Sequence, residues 1–268
     1  MVAVPFRAAA YASSMIPRIL LSLALAASLG ACATRGADME ASANPGDPLE
    51  GTNRQVLDVN LAVDDAVIRP VAQGYRATVP VYARTRIRNV LDNMQEPRIF
   101  ANNVLQGRLL DAGHTTMRFL FNSTIGIAGL YDVATDFGIA RRTGDFGQTL
   151  NAWGLEDGPY LMLPIAGPSN VRDTVGMVGD GFLNPISWLL PFGGNVARAG
   201  VGGVDLREQN IESLDALRSE SLDFYARLRS VWQQRRNAEL GRTGDTGDRL
   251  DVLEDPGAAP TPVPAAAR

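Results

Sequence analysis

Apolar residues recur every three to four positions near the end of the chain, at Leu222, Tyr225, Leu228, Val231 and Trp232. That period predicts a helix with one apolar stripe. Ile211, Leu214 and Leu217 carry the same period in the segment before it. Ser221 stands between the two as the expected N-cap, and Arg235 and Arg236 suit the negative end of the second helix's dipole. Such a stripe faces either a core or a membrane surface. The middle of the chain is different in kind. Residues 119–134 and 181–197 are nearly free of charge, yet Gly126, Gly129, Pro185, Pro191, Gly193 and Gly194 interrupt them. Neither reads as a clean membrane-spanning helix, because proline removes a backbone donor and glycine invites bending. In lipid, such breaks need shelter from neighbouring protein or a water-filled path. Two readings stay open at this point: broken helices beside a polar cavity, or a helical protein in water whose buried segments turn sharply. Helical signals dominate strand signals throughout, so the fold expected is all-α.

The first residues have a separate purpose. Arg7 and Arg18 precede an uncharged run, residues 19–29, that is too short and too rich in small residues for a stable transmembrane helix. It reads as the apolar region of a secretory signal, with Met15 an alternative start to Met1. The run ends in Leu29-Gly30-Ala31-Cys32, which resembles the bacterial lipobox, where cleavage leaves a lipid-bearing Cys as the mature first residue. The other reading is an ordinary signal with a chance Cys. Three acyl chains on Cys32 would hold the protein at a membrane. Ala33, where an Asp favours retention at the inner membrane in enteric lipoproteins, points onward to the outer membrane. Residues 1–31 are thus expected to be a signal peptide and 32–46 a small, polar tether. One domain is expected over 47–240, and the Gly, Asp, Thr and then Pro/Ala composition of 241–268 predicts a disordered tail.

Composition narrows the chemistry. The 268 residues carry 25 basic against 29 acidic side chains, a net charge of −4, which removes the electrostatic basis for coating nucleic acid. Every basic residue is Arg, and there is one His, His114, and one Cys, Cys32. Without Lys there is no Walker A phosphate loop and no Schiff-base lysine. One His and one Cys cannot assemble a zinc cluster, so no metal site and no cofactor are expected. Asp132 and Asp173 are open to reading as an acid/base pair, but no Gly-x-Ser-x-Gly elbow occurs and nothing fixes their separation. Asp245, Asp248 and Asp251 lack the spacing of a calcium loop. An enzyme is therefore not expected.

A run of ordered motifs carries a resemblance. Asp47-Pro48-Leu49-Glu50, Asn53-Arg54 and Arg69-Pro70-Val71-Ala72 are followed by Glu96-Pro97 and Leu105-Gln106-Gly107. Then come Arg118-Phe119-Leu120, Asn122-Ser123-Thr124, Gly126, Gly129-Leu130, Asp132-Val133-Ala134 and Asp145-Phe146-Gly147-Gln148-Thr149-Leu150. Gly158-Pro159-Tyr160, Gly167-Pro168-Ser169 and Arg172-Asp173 complete the set, with Arg235-Arg236 near the end. Nearly the whole body resembles the MlaA (VacJ) family of outer-membrane lipoproteins. Thr52, Val59 and Asn151 depart from its pattern, which touches local packing.

The resemblance implies a ring-like helical body lying in the inner leaflet of the outer membrane, with an amphipathic pore. It also implies partnership with trimeric porins and transfer of phospholipid to the periplasmic carrier MlaC. The rival functions are a porin-associated scaffold that moves no lipid and a lipid-anchored envelope hydrolase. By family analogy the broken segments shape the pore, which makes Arg118, Asn122, Gly126, Gly129, Arg172, Gly181, Gly193 and Gly194 the candidates for contact with lipid. For Arg118 and Arg172 the alternative is a structural pair with a nearby carboxylate, since a strong phosphate clamp would slow release from a channel.

Overall fold

A computed structural model of the chain describes residues 47–242. The expected signal peptide, Cys32 with its tether, and the tail beyond residue 242 lie outside the described residues. Contacts group the chain into two units, Met1–Gln55 and Val56–Arg268. The described part of the first unit is the start of helix α1 (Glu50–Val63), where Arg54 pairs with Glu50 one turn back at 2.8 Å.

Helix α1 runs through a π-helical turn (Asp64–Ile68) into α2 (Arg69–Thr78). The wide turn has a local cause in Pro70, whose ring would press on the carbonyl four residues back in a regular helix. Widening the spiral relieves that pressure, and the Arg69 N–H bonds the Asp64 carbonyl instead. Pro80 stops α2, because the residue before a proline is driven out of the helical region; Val79 is extended. Helices α3 (Val81–Asn93), α4 (Glu96–Leu105) and α5 (Leu109–Thr124) follow, then the short α6 (Val133–Asp136) and α7 (Phe146–Ala152). Asp132 caps α6 by accepting the Thr135 N–H, and Asp145 caps α7 by accepting that of Gln148.

A hairpin interrupts the helices. Strand β1 (Tyr160–Leu163) pairs antiparallel with β2 (Gly167–Asn170), Tyr160 opposite Asn170 and Leu163 opposite Gly167. This is an addition to the all-α expectation. Four residues of alternating burial are too few to stand out as a strand period in the sequence. Asn60 clamps the tip, donating to the Leu163 carbonyl at 2.9 Å and accepting the Ile165 N–H at 2.8 Å. Ile165 is held at a φ of 63°, a costly value for a β-branched residue.

Helices α8 (Val171–Leu183), α9 (Pro185–Leu189), α10 (Phe192–Gln209), α11 (Ile211–Glu220) and α12 (Phe224–Glu239) complete the described chain. The N-cap of α12 is Asp223, which accepts the Ala226 N–H at 3.1 Å. Ser221, expected in that role, closes α11 instead and turns its hydroxyl back to the Leu217 carbonyl. A small apolar cluster gathers Leu57, Tyr160, Met162 and Tyr225, with Leu228 and Trp232 against it. The stripe predicted on α12 is thus partly core-facing. Tyr160 meets Tyr225 and Trp232 edge-on at 6.0 and 5.5 Å.

Candidate lipid-contact surface and polar interior

Outside that cluster the usual polarity is reversed. Helix α5 turns Ala112, Thr115, Arg118 and Asn122 inward at helical spacing, and turns Leu109, Met117 and Leu120 out to the surface. Helix α8 repeats the arrangement: Arg172 and Asp173 are buried, while Val171, Val175, Val178 and Phe182 line the exposed side one turn apart. Around α9 and the start of α10, Trp188, Leu189 and Phe192 are each at least 70% exposed. Removing one such side chain from water is worth about 1.5–3 kcal/mol. A dozen left in water forgo about 18–36 kcal/mol. The net stability of a domain is about 5–15 kcal/mol, so this surface is built for an apolar neighbour.

The interior is correspondingly charged. Arg118, 3% exposed, donates Nε to Glu96 Oε1 at 3.2 Å and Nη2 to both oxygens of Asp132 at 2.9 and 3.0 Å. Its Nη1 bonds the Ile139 carbonyl and the Thr135 hydroxyl. Asn122 donates to Asp132 at 2.9 Å and accepts the Ala134 N–H. Burial pushes the Asp132 carboxyl up, but hydrogen bonds from Thr135, Asn122 and Arg118 hold it below the ordinary aspartate value. For Glu96, which is more deeply buried, desolvation wins over Arg118 and the pKa rises.

A second network centres on Arg172, which pairs with Asp157 and, at 2.8 Å, with Asp173. Arg236 donates to the same Asp173 and to Asp145. Desolvation raises Asp145, but hydrogen bonds and charge from Arg236 outweigh it and leave the pKa low. Desolvation dominates at Asp180, which accepts from Arg98, Asn102 and the Phe146 N–H; its pKa is raised. A third network joins Arg76, Arg84 and Arg88 to Asp205 and Glu208, and Arg207 to Asp64.

The residues singled out in the sequence therefore fall into three places. Arg118 and Arg172 occupy separate networks and take the structural partnerships that were the alternative to touching phosphate. Asp132 and Asp173 are tied to those arginines. Gly126 and Gly129 form the turn after α5, where Ile127, Ala128 and Gly129 all have positive φ. A Cβ on Gly126 would strike the Asn122 and Tyr131 carbonyl oxygens, and one on Gly129 would strike the Asn93 side chain. Their role there is close approach, and the turn thrusts Ile125 and Ile127 into the open. Gly181 and Gly193 have open space beside them, and Gly194 touches Pro191 and Leu190 at ordinary distance. Missed by the sequence reading were Gly147 and Gly176, which let α7 and α8 touch backbone to backbone, and the Arg84/Arg88 pair. Their i, i+4 spacing on one helix was the available signal. Among the described residues no helix is long and apolar enough to cross a membrane.

Residues 45–239 match the family described as "MlaA lipoprotein". The chain is 36% identical over 212 residues to the "Intermembrane phospholipid transport system lipoprotein MlaA" of Escherichia coli (strain K12), covering 76% of this chain and 81% of that one. It is 30% identical over 226 residues to the Haemophilus influenzae protein of the same description, covering 81% and 87%. A solved structure described as "Structural basis for maintenance of bacterial outer membrane lipid asymmetry" superposes with a TM-score of 0.66 at 35% identity, covering 72% of this chain and 98% of its own.

Proposed function

Because this chain belongs to the MlaA lipoprotein family, we propose that it maintains outer-membrane lipid asymmetry by removing phospholipids from the outer leaflet, as part of an intermembrane transport system. The observation that carries the reading is the inversion itself: apolar faces on α5 and α8 outward, arginine–carboxylate networks inward. A lipid headgroup crossing hydrocarbon pays at least about 3 kcal/mol for its charge at the bilayer centre. A polar path lined by protein, with an apolar rim for the tails, lowers that barrier with no covalent step and no nucleotide.

In this reading Cys32 carries the lipid anchor, the body lies in the inner leaflet, and the interrupted segments around Gly126–Gly129 and Gly181–Gly194 border the passage. Porin trimers on one side and the periplasmic carrier MlaC on the other are the proposed partners. The reversed polarity supports the leaflet position: among the described residues no helix is long and apolar enough to cross a membrane, and such faces are buried by lying among acyl chains or against an apolar partner. Deleting the gene tests the function: outer-leaflet phospholipid, read by an outer-leaflet acyltransferase or phospholipase, should rise and fall back when the gene is restored. An unchanged outer leaflet defeats transport and leaves a scaffold.

A further inference from the structure

We propose that the cavity between α2, α3 and α10 binds a phosphate group, carried either by a lipid headgroup or as the free ion. Its volume is about 350 Å³, and Arg76, Arg84 and Arg88 line it together with Thr85 and Glu208. Arg76 is spent: its guanidinium is bonded to Glu208 and Glu212 on every nitrogen. Arg84 is not. It gives one nitrogen, Nη1, to Glu208 at 2.5 Å, and its Nε and Nη2 meet no acceptor among the described residues. That edge is the planar two-donor fork that matches two oxygens of a phosphate. One helical turn on, Arg88 uses Nε and Nη2 on Asp205 and Glu208 and leaves Nη1 without an acceptor.

Two like charges at i, i+4 on one helix face repel. Asp205 and Glu208 beneath them, both nearly buried, offset the repulsion and fix the two guanidinium planes. Three donors without an acceptor thus belong to two arginines that line one cavity, while the network's net charge stays low. Such a site holds an oxyanion through geometry and lets it go, which suits a ligand in transit. Val81, which is exposed, gives the cavity an apolar edge where lipid tails can continue outward. The transport reading bears only on the source of the phosphate.

The test is titration of the full-length protein in detergent, following Arg Nε–H resonances by nitrogen-15 NMR, with dihexanoyl phosphatidylethanolamine in one arm and inorganic phosphate in the other. Saturable shifts of the Arg84 and Arg88 signals are expected. They should weaken at least tenfold in Thr85→Trp, which fills the cavity without changing its charge, the Thr85 hydroxyl bonding only its own helix; in Arg84→Gln/Arg88→Gln, where both signals are gone, the shift of the Thr85 backbone amide should weaken by the same factor. Shifts with the lipid assign the headgroup, and shifts with phosphate alone assign the free ion. Signals unmoved by either probe, or wild-type binding in a folded Thr85→Trp, overturn the site. A deletion strain with normal lipid asymmetry defeats transport instead and leaves this titration as it was.

Discussion

The guanidinium of Arg236 donates Nε to Asp173 Oδ2 at 2.8 Å, tying the last helix to α8 across 63 residues. Its Nη1 and Nη2 reach Asp145 at the cap of α7, both at 2.8 Å. Three segments distant in sequence meet at one buried cation. In a protein whose apolar cluster is small and many of whose large apolar side chains face outward, networks of this kind take over much of the joining role that an apolar core has elsewhere.

Removing one partner from a buried pair strands the other charge, at a cost of about 3–5 kcal/mol. Arg236→Ala should therefore destabilise the protein strongly, at the lower end of that range because Arg172 still faces Asp173. Arg235→Ala, on the solvent side of the same helix, should change the melt by no more than about 0.5 kcal/mol. Thermal unfolding in detergent compares the two.

Acid should unfold the protein through Asp145 and Asp132. Both have folded pKa values below the ordinary aspartate value of about 3.9, so their contribution is complete above that pH and is lost as pH falls through the folded values. Asp180 and Glu96 have raised values and act with the opposite sign, costing stability as pH climbs through them. Melting temperature against pH should show an acid limb below about pH 4 that is shallower in Asp145→Asn.

Glycines divide by what surrounds them. Gly129→Ala places a side chain at a φ of 90° against Asn93 and should cost about 1–3 kcal/mol. Gly193→Ala, in the first turn of α10 with open space beside it, should be neutral or stabilise by up to about 1 kcal/mol. Melts of the two variants decide.

How much of this was legible beforehand depends on the range of the interaction. The helical class, the period of α12 and the breaks at Pro185 and Pro191 are local, and the sequence displays them. The family motifs were legible too, including Asp145-Phe146-Gly147 and Arg172-Asp173. Their meaning was not. That Gly176 admits the Gly147 backbone, or that Arg236 joins Arg172 on Asp173, depends on contacts dozens of residues apart. The hairpin escaped because four-residue strands leave too short a pattern, and Asp223 displaced Ser221 as a cap because both residue types suit that role.

The exposed face of α8 offers a functional prediction. Val175→Glu/Val178→Glu alters two outward side chains with no polar partners to lose, so the melt in detergent should stay within about 0.5 kcal/mol of wild type. In cells the same change should raise outer-leaflet phospholipid toward the deletion level, because two carboxylates on that face oppose burial in hydrocarbon. Acyltransferase labelling of outer-leaflet lipid checks it.

The most direct test of the reversed polarity is quenching of single tryptophans by brominated phospholipids in reconstituted vesicles. Trp188 is 70% exposed on an apolar face, whereas Trp232 packs against Tyr160 in the small core. With the other two tryptophans changed to Phe, Trp188 should be quenched by bromine on the acyl chains and shielded from aqueous iodide, and Trp232 should resist both. If iodide quenches Trp188 and brominated lipid does not, its face lies in water and the account is contradicted.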